Sequence, residues 1–209
     1  MVRPGPDRRV RGSNRDARSS RPPERVRIIG GDWKRTPLEV VNVPGLRPTP
    51  DRVRETVFNW LGQRLDGCVC LDLYAGSGAL GFEAASRGAA RVVCVERDPL
   101  ALQALRSARE RLHARSIEIV AAQASHWLAQ TTERFDLIFL DPPFASDEMV
   151  RVGPYLMDRL QPEAWVYVES GEPLPEHGSV LPDLVVHRAG RAGQVHFHLL
   201  RPRAAVQGD

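Results

Sequence analysis

A glycine-rich turn between a short apolar run and a helical pattern constrains this chain more than any other feature. The segment Asp72-Leu73-Tyr74-Ala75-Gly76-Ser77-Gly78-Ala79-Leu80-Gly81 follows an apolar run over 69–73 and puts glycines at 76, 78 and 81. That is G-x-G-x-x-G leaving a strand and opening a helix, over 80–87, that Gly88 stops. Strand and helix patterns then alternate. Strands are predicted over 91–96, 117–120, 135–140 and 165–169. Helices are predicted from Asp98-Pro99 to about Leu112, over 124–130, and from Ser146 or Asp147 to near Leu160, disturbed by Gly153-Pro154. Such alternation implies an α/β fold with a mostly parallel sheet covered on both faces. Its functional crevice lies at the C-terminal strand ends, so chemistry is expected after the first, second and fourth strands.

The flanks read differently. Residues 1–27 hold nine Arg against Asp7, Asp16 and Glu24, a local net of +6 in a chain of net +3. Residues 1–24 have almost no apolar residue and are expected to form a disordered tail, either simply solvated or a basic arm that follows a phosphate backbone. Partial alternation at Val26, Ile28, Leu38 and Val40, broken by Gly30-Gly31, predicts a small hairpin extension over 25–46. An irregular connector over 44–50 leads to Thr49 as N-cap and Pro50 at the first helical position. Val53, Val57, Trp60 and Leu61 then share one helix face, with Arg52, Arg54 and Glu55 opposite. Three prolines make 171–182 a loop. Strands over 184–188 and 195–200, joined by Gly190-Arg191-Ala192-Gly193, form an antiparallel hairpin. The main domain is expected over 47–201, with a tail over 202–209. Cys68, Cys70 and Cys94 sit in apolar stretches without CxxC spacing, as buried small hydrophobes of a reducing cytoplasm. No apolar run is long enough for a membrane span, and no secretory signal is expected.

Two motifs carry chemistry. Alone, the glycine fingerprint with Glu96 twenty residues after Gly76 fits NAD. Asp72, four residues before Gly76, argues otherwise. It would repel a pyrophosphate and attract an ammonium group. S-adenosylmethionine has that ammonium, together with a ribose diol for Glu96 to accept. The second motif, Asp141-Pro142-Pro143-Phe144, follows the fourth strand. Its prolines fix the backbone and remove two donors, leaving acceptor carbonyls. Asp141 adds a carboxylate and Phe144 a ring face for a planar base. The set suits an exocyclic amino group whose lone pair must be freed. The histidines, His196 and His198 included, show no metal spacing, and no metal is expected. Trp33-Lys34-Arg35 in the hairpin places an aromatic beside two cations, as an RNA contact would. Arg47, Arg52 and Arg54 near the crevice are further candidates.

On these segments, and on Arg27-Ile28-Ile29-Gly30-Gly31, 47–55 and Gly193-Gln194-Val195, the chain resembles the 16S rRNA guanine(966)-N(2)-methyltransferase family of class I S-adenosylmethionine-dependent methyltransferases. The resemblance covers about residues 25–201. It implies a Rossmann-like, seven-stranded, mostly parallel sheet with an antiparallel last strand and an N-terminal hairpin that helps hold RNA. It implies Asp141, Pro142 and Phe144 as catalytic. It also implies a cofactor site of Asp72, Tyr74, Gly76, Ser77, Gly78, Glu96, Asp141, and Gln123-Ala124 against the adenine. The expected partner is 16S rRNA or the small ribosomal subunit, and the expected protein a cytoplasmic monomer. An amino-methyltransferase of DNA adenine N6 or protein glutamine is the alternative.

Overall fold

The computed structural model describes residues 25–41, 49–143, 146–174, 181 and 183–203. The tail over 1–24, Arg47 and Phe144 lie outside the described residues. The chain opens with an antiparallel pair, β1 (Arg25–Arg27) and β2 (Pro37–Glu39), with Val26 opposite Leu38. Then follow α1 (Asp51–Trp60), β3 (Val69–Asp72), α2 (Ala79–Ser86), β4 (Arg91–Glu96), α3 (Pro99–Arg111), β5 (Ile117–Ala121), α4 (Ala124–Gln130), β6 (Phe135–Leu140), α5 (Glu148–Leu156), β7 (Leu160–Ser170), β8 (Leu184–Ala192) and β9 (Val195–Pro202).

The large sheet has seven strands in the order β5-β4-β3-β6-β7-β9-β8. The first five run parallel, and β9 is antiparallel to both neighbours. The expected fold is therefore the observed one: a seven-stranded, mostly parallel sheet with its last strand antiparallel. Side-chain alternation divides two apolar layers. Cys70, Val92, Cys94, Phe139 and Tyr167 face one layer, with α1, α2, α3 and the hairpin. Leu71, Val93, Ile138, Val166 and Val168 face the other, with α4 and α5. The cysteines are free, and burial raises the Cys70 and Cys94 thiols.

Several boundaries differ from expectation, three of them for a physical reason. The strand predicted over 165–169 begins at Leu160, because β6 resumes pairing beyond a bulge: Phe135 pairs with Leu160, but Leu137 pairs with Trp165. Pro162, with no N–H for the ladder, falls inside that bulge. The final hairpin turns at Gly193-Gln194, since Ala192 already pairs with Val195. α1 starts one residue late, with Pro50 as N-cap. The Thr49 hydroxyl does not cap it; it bonds across the molecule to Glu169.

The hairpin is bolted to α2 by one buried carboxylate. Glu83 Oε2 accepts Ile29 N–H (2.7 Å) and an Arg54 N–H (3.3 Å). Its Oε1 accepts Gly30 N–H (2.7 Å) and Arg87 Nε–H (2.8 Å). Four donors fill the lone pairs of a charge that would otherwise be costly to bury. A Cβ on Gly31 would fall 1.7 Å from the Ser86 carbonyl oxygen, so only glycine allows this approach.

Candidate active site

β3 and β4 leave the sheet's midline on one side, and β6 and β7 on the other. The gap above the C-terminal ends at this reversal is where an α/β sheet opens a crevice. A cleft of about 710 Å³ lies there. Four adjacent parallel strands deliver a carboxylate to it: Glu96 from β4, Asp72 from β3, Asp141 just past β6 and Glu169 from β7. All four lie two residues beyond a first-layer core residue: Cys94, Cys70, Phe139 and Tyr167. The same alternation that builds the core therefore stacks the acids on one side of the strand ends.

The glycine loop is held by two of these acids. Asp72, 2% exposed, accepts Gly81 N–H through Oδ2 at 2.9 Å. Burial pushes its carboxyl up to about 7, and the nearby Glu96 charge adds to the rise. Glu96 Oε2 accepts Gly76 N–H (2.8 Å), while Oε1 accepts from the backbones of Arg97 (2.7 Å) and Asp98 (2.8 Å). Gly78 takes φ of 78° as the N-cap of α2, a left-handed turn that favours glycine. A side chain there would collide with Leu105 and Phe82 at 2.6–2.7 Å. Asp98 caps α3, as expected, by accepting from Leu100 and Ala101. The Tyr74 hydroxyl donates to Glu148 Oε2 (3.1 Å), and burial with that carboxylate raises the phenol. Ser77, Gln123 and Ala124 also line the cleft.

The other half of the cleft is built on Thr49. Its hydroxyl lies 2.7 Å from Glu169 Oε1 and 3.5 Å from Asp141 Oδ2. The Tyr167 hydroxyl donates to the same Glu169 oxygen at 2.7 Å. Burial drives both carboxyls up, and the Glu169 charge raises Asp141 further. Pro142 and Pro143 line the wall. The Pro143 carbonyl does not stand free as an acceptor: Ser146 donates to it from its hydroxyl (2.6 Å) and its backbone (3.0 Å).

Of the expected cofactor residues, Asp72, Tyr74, Gly76, Ser77, Glu96, Gln123, Ala124 and Asp141 line this cleft, whereas Gly78 does not and instead forms the N-cap turn of α2. The expected RNA residues Trp33, Lys34, Arg35, Arg52 and Arg54 do not. Arg54 is corrected outright. It is fully buried and binds Glu83, Asp51, the Arg27 carbonyl and the Thr49 carbonyl, so it has no surface for RNA. Trp33 is corrected in part: its ring packs on Phe82 at 6.4 Å against the first core layer, while Lys34 and Arg35 are exposed. Arg52 is exposed. Thr49, Glu148, Tyr167 and Glu169 escaped the sequence reading as site residues. The signal for Glu169 was its place at a strand end, with the parity of Asp72 and Asp141.

Among the described residues, no group of three His, Cys, Asp or Glu side chains could hold a metal ion, and no helix is long and apolar enough to cross a membrane. A family model described as Conserved hypothetical protein 95 matches residues 26–201. The Ribosomal RNA small subunit methyltransferase D of Escherichia coli is 41% identical over 188 residues, covering 88% of this chain and 93% of its own. Its namesake in Haemophilus influenzae is 40% identical over 156 residues, 72% of this chain and 81% of its own. The solved structure of yhhF from Escherichia coli superposes with a TM-score of 0.75 at 40% identity, over 87% of this chain and 99% of that one.

Proposed function

The chain belongs to the family described as Conserved hypothetical protein 95, together with the small-subunit ribosomal RNA methyltransferases D, and on that premise we propose its reaction. It transfers a methyl group from S-adenosylmethionine to the exocyclic N2 of a guanine in small-subunit ribosomal RNA, the 966-type position of 16S rRNA. It does so in the cytoplasm.

The observation that carries this reading is the row of four carboxylates, with the glycine loop at one end and the Asp-Pro-Pro turn at the other. The cofactor half fits its ligand by charge and shape. Asp72 is a buried carboxylate with no cation paired to it among the described residues, which suits an ammonium group. Glu96 has both oxygens anchored by backbone N–H groups and keeps acceptor capacity for a diol. A pyrophosphate would meet both charges and be repelled. The cleft volume lies within the range of cofactor sites.

S-adenosylmethionine, when bound, supplies an electrophilic methyl group and departs as a neutral thioether. The protein's task is placement. Asp141 accepts one N–H of the amino group, and the Pro142 carbonyl accepts the other. Held this way, the nitrogen lone pair turns out of conjugation and toward the methyl. Asp141, raised by its burial, is the nearest acceptor for the proton the nitrogen gives up once the N–C bond forms. Phe144 stacks on the base. The basic N-terminal arm, with Lys34, Arg35 and Arg52, adds phosphate contacts.

The test is mass spectrometry of RNA from small subunits treated with the protein and S-adenosylmethionine. N2-methylguanosine is expected. Asp141→Ala should lose about 10²–10³-fold in kcat, the scale for one oriented polar group, while still binding cofactor. N6-methyladenine, a 5-methylpyrimidine or full activity in Asp141→Ala would reject the reading.

A further inference from the structure

Two carboxyl groups, not one, face the base-binding end of the cleft. β6 and β7 are parallel neighbours with Leu140 opposite Val168, so Asp141 and Glu169 follow one another in register past the sheet edge. Glu169 is 3% exposed. The Thr49 and Tyr167 hydroxyls both donate to its Oε1, and that oxygen is thereby committed to the protein. Neither Glu169 Oε2 nor Asp141 Oδ1 has a hydrogen-bond partner among the described residues. Asp141 and Glu169 both line the cleft, and two neighbouring carboxylates that each keep an uncommitted oxygen call for a ligand that brings two adjacent donors.

Among the four RNA bases, only guanine has an amino group next to a ring N–H. Adenine and cytosine carry a ring lone pair beside their amino groups, and uracil has no amino group. We propose that Glu169 is the specificity-determining residue of the base site, accepting guanine N1–H through Oε2 while Asp141 accepts the adjacent N2 amino group. This rests on the guanine-N2 reading given above. A base with a lone pair at N1 would set that lone pair against the carboxylate and leave a buried acceptor unpaired. Rejection of such analogues runs to several powers of ten.

The two hydroxyls also dictate what glutamine would do at this position. They donate, so they would hold the amide oxygen of Glu169→Gln in the place of Oε1. The amide NH2 would then face the base and donate where the carboxylate accepted. A ring lone pair would be welcomed and an N–H refused.

The experiment uses small-subunit RNA in which the target guanine is replaced by 2-aminopurine, which keeps the amino group but has a lone pair at N1. Wild type should prefer guanine on the order of 10³-fold in kcat/KM. Glu169→Gln should shrink that preference by at least about 10²-fold, losing guanine activity and gaining on 2-aminopurine. Calorimetry with S-adenosylmethionine checks that the variant is folded and binds its cofactor. Equal losses on both bases would make Glu169 merely structural and overturn the inference. A second measurement needs no variant: wild type should accept 6-thioguanine, which keeps N1–H, within about tenfold of guanine. Equal use of 2-aminopurine and guanine by wild type would also overturn it. A product other than N2-methylguanosine from wild type on guanine would defeat the underlying reading instead, so the two failures are distinguishable.

Discussion

Replacing Asp72 by Asn tests the electrostatics of the cleft. The folded carboxyl titrates at about 7 against an ordinary 3.8, because burial disfavours its charge. Between those values the folded chain binds more protons than the unfolded chain, so stability falls as pH rises. The cost is complete above pH 7 and amounts to about 4 kcal/mol at roughly 1.4 kcal/mol per pH unit. At about pH 5.5 only some 2 kcal/mol of it has accrued. Asn removes the charge altogether. Its oxygen can still accept Gly81 N–H, but its amide NH2 cannot accept from the Tyr74 backbone, which costs about 1–2 kcal/mol at any pH.

The cofactor-free Asp72→Asn protein should therefore be about 2–3 kcal/mol more stable than wild type at about pH 8.5. The gap should narrow by about 2 kcal/mol at about pH 5.5, or roughly 4–8 °C in Tm for a chain of this size. Asp141 is raised in part by the Asp72 charge, so the variant relieves Asp141 as well and the gap moves in the same direction. Thermal melts across pH measure the gap. Cofactor capture should move the other way. Loss of the charged partner should weaken S-adenosylmethionine by about 10–100-fold. In wild type, affinity should fall as pH drops below 7 and Asp72 protonates, levelling off near the affinity of the variant. A stability gap that stays constant with pH would refute the reasoning, whatever the variant's affinity.

Glu96→Ala should weaken S-adenosylmethionine binding about tenfold to a hundredfold, by losing a diol acceptor along with the anchor of Gly76, Arg97 and Asp98; calorimetry showing unchanged affinity would sink the cofactor assignment. Glu83→Ala strips the buried partner from Arg54 and Arg87, and denaturant melts should show a loss of about 3–5 kcal/mol. Removing residues 1–24 should reduce the log–log salt slope of RNA binding by roughly 3.5, if about five phosphates are released at 0.7 each, without changing the rate at saturating RNA. An identical slope leaves the arm simply solvated.

Much of this architecture could be read from the chain because the fold's local signals agree with its global form. β4, α4 and β6 occupy the residues expected, and Asp98 caps the helix it was expected to cap. The strand ends carrying Asp72, Glu96 and Asp141 were visible because glycine or proline follows each change of period. Arg54 was misread because helix periodicity separates an apolar face from a polar one, and Arg54 lies on the polar side by spacing. Its burial depends on Glu83, twenty-nine residues away, and on carbonyls of Arg27 and Thr49. No local pattern encodes a charge whose partner arrives through tertiary packing. Thr49 was misread for the same reason: its composition fits a cap, but a carboxylate from β7 competes for its hydroxyl and wins.

These misreadings belong to one chain of contacts. Glu83 takes the backbone N–H groups of Ile29 and Gly30, Arg54 joins Glu83 to the Thr49 carbonyl, and the Thr49 hydroxyl reaches Glu169 and Asp141. The hairpin and the Asp141/Glu169 pair are thus linked by buried, charge-assisted bonds rather than by apolar contact alone. Each such bond is directional, so each restricts where the next group can sit. Apolar packing would hold the hairpin as firmly but would leave the Thr49 hydroxyl free to cap α1, as its sequence invites. A hydroxyl committed to Glu169 Oε1 leaves Oε2 without a partner among the described residues. The stability contributed by a buried ion pair is small beside the cost of burying it; its worth here lies in fixing the Thr49 segment against the Glu169 carboxylate.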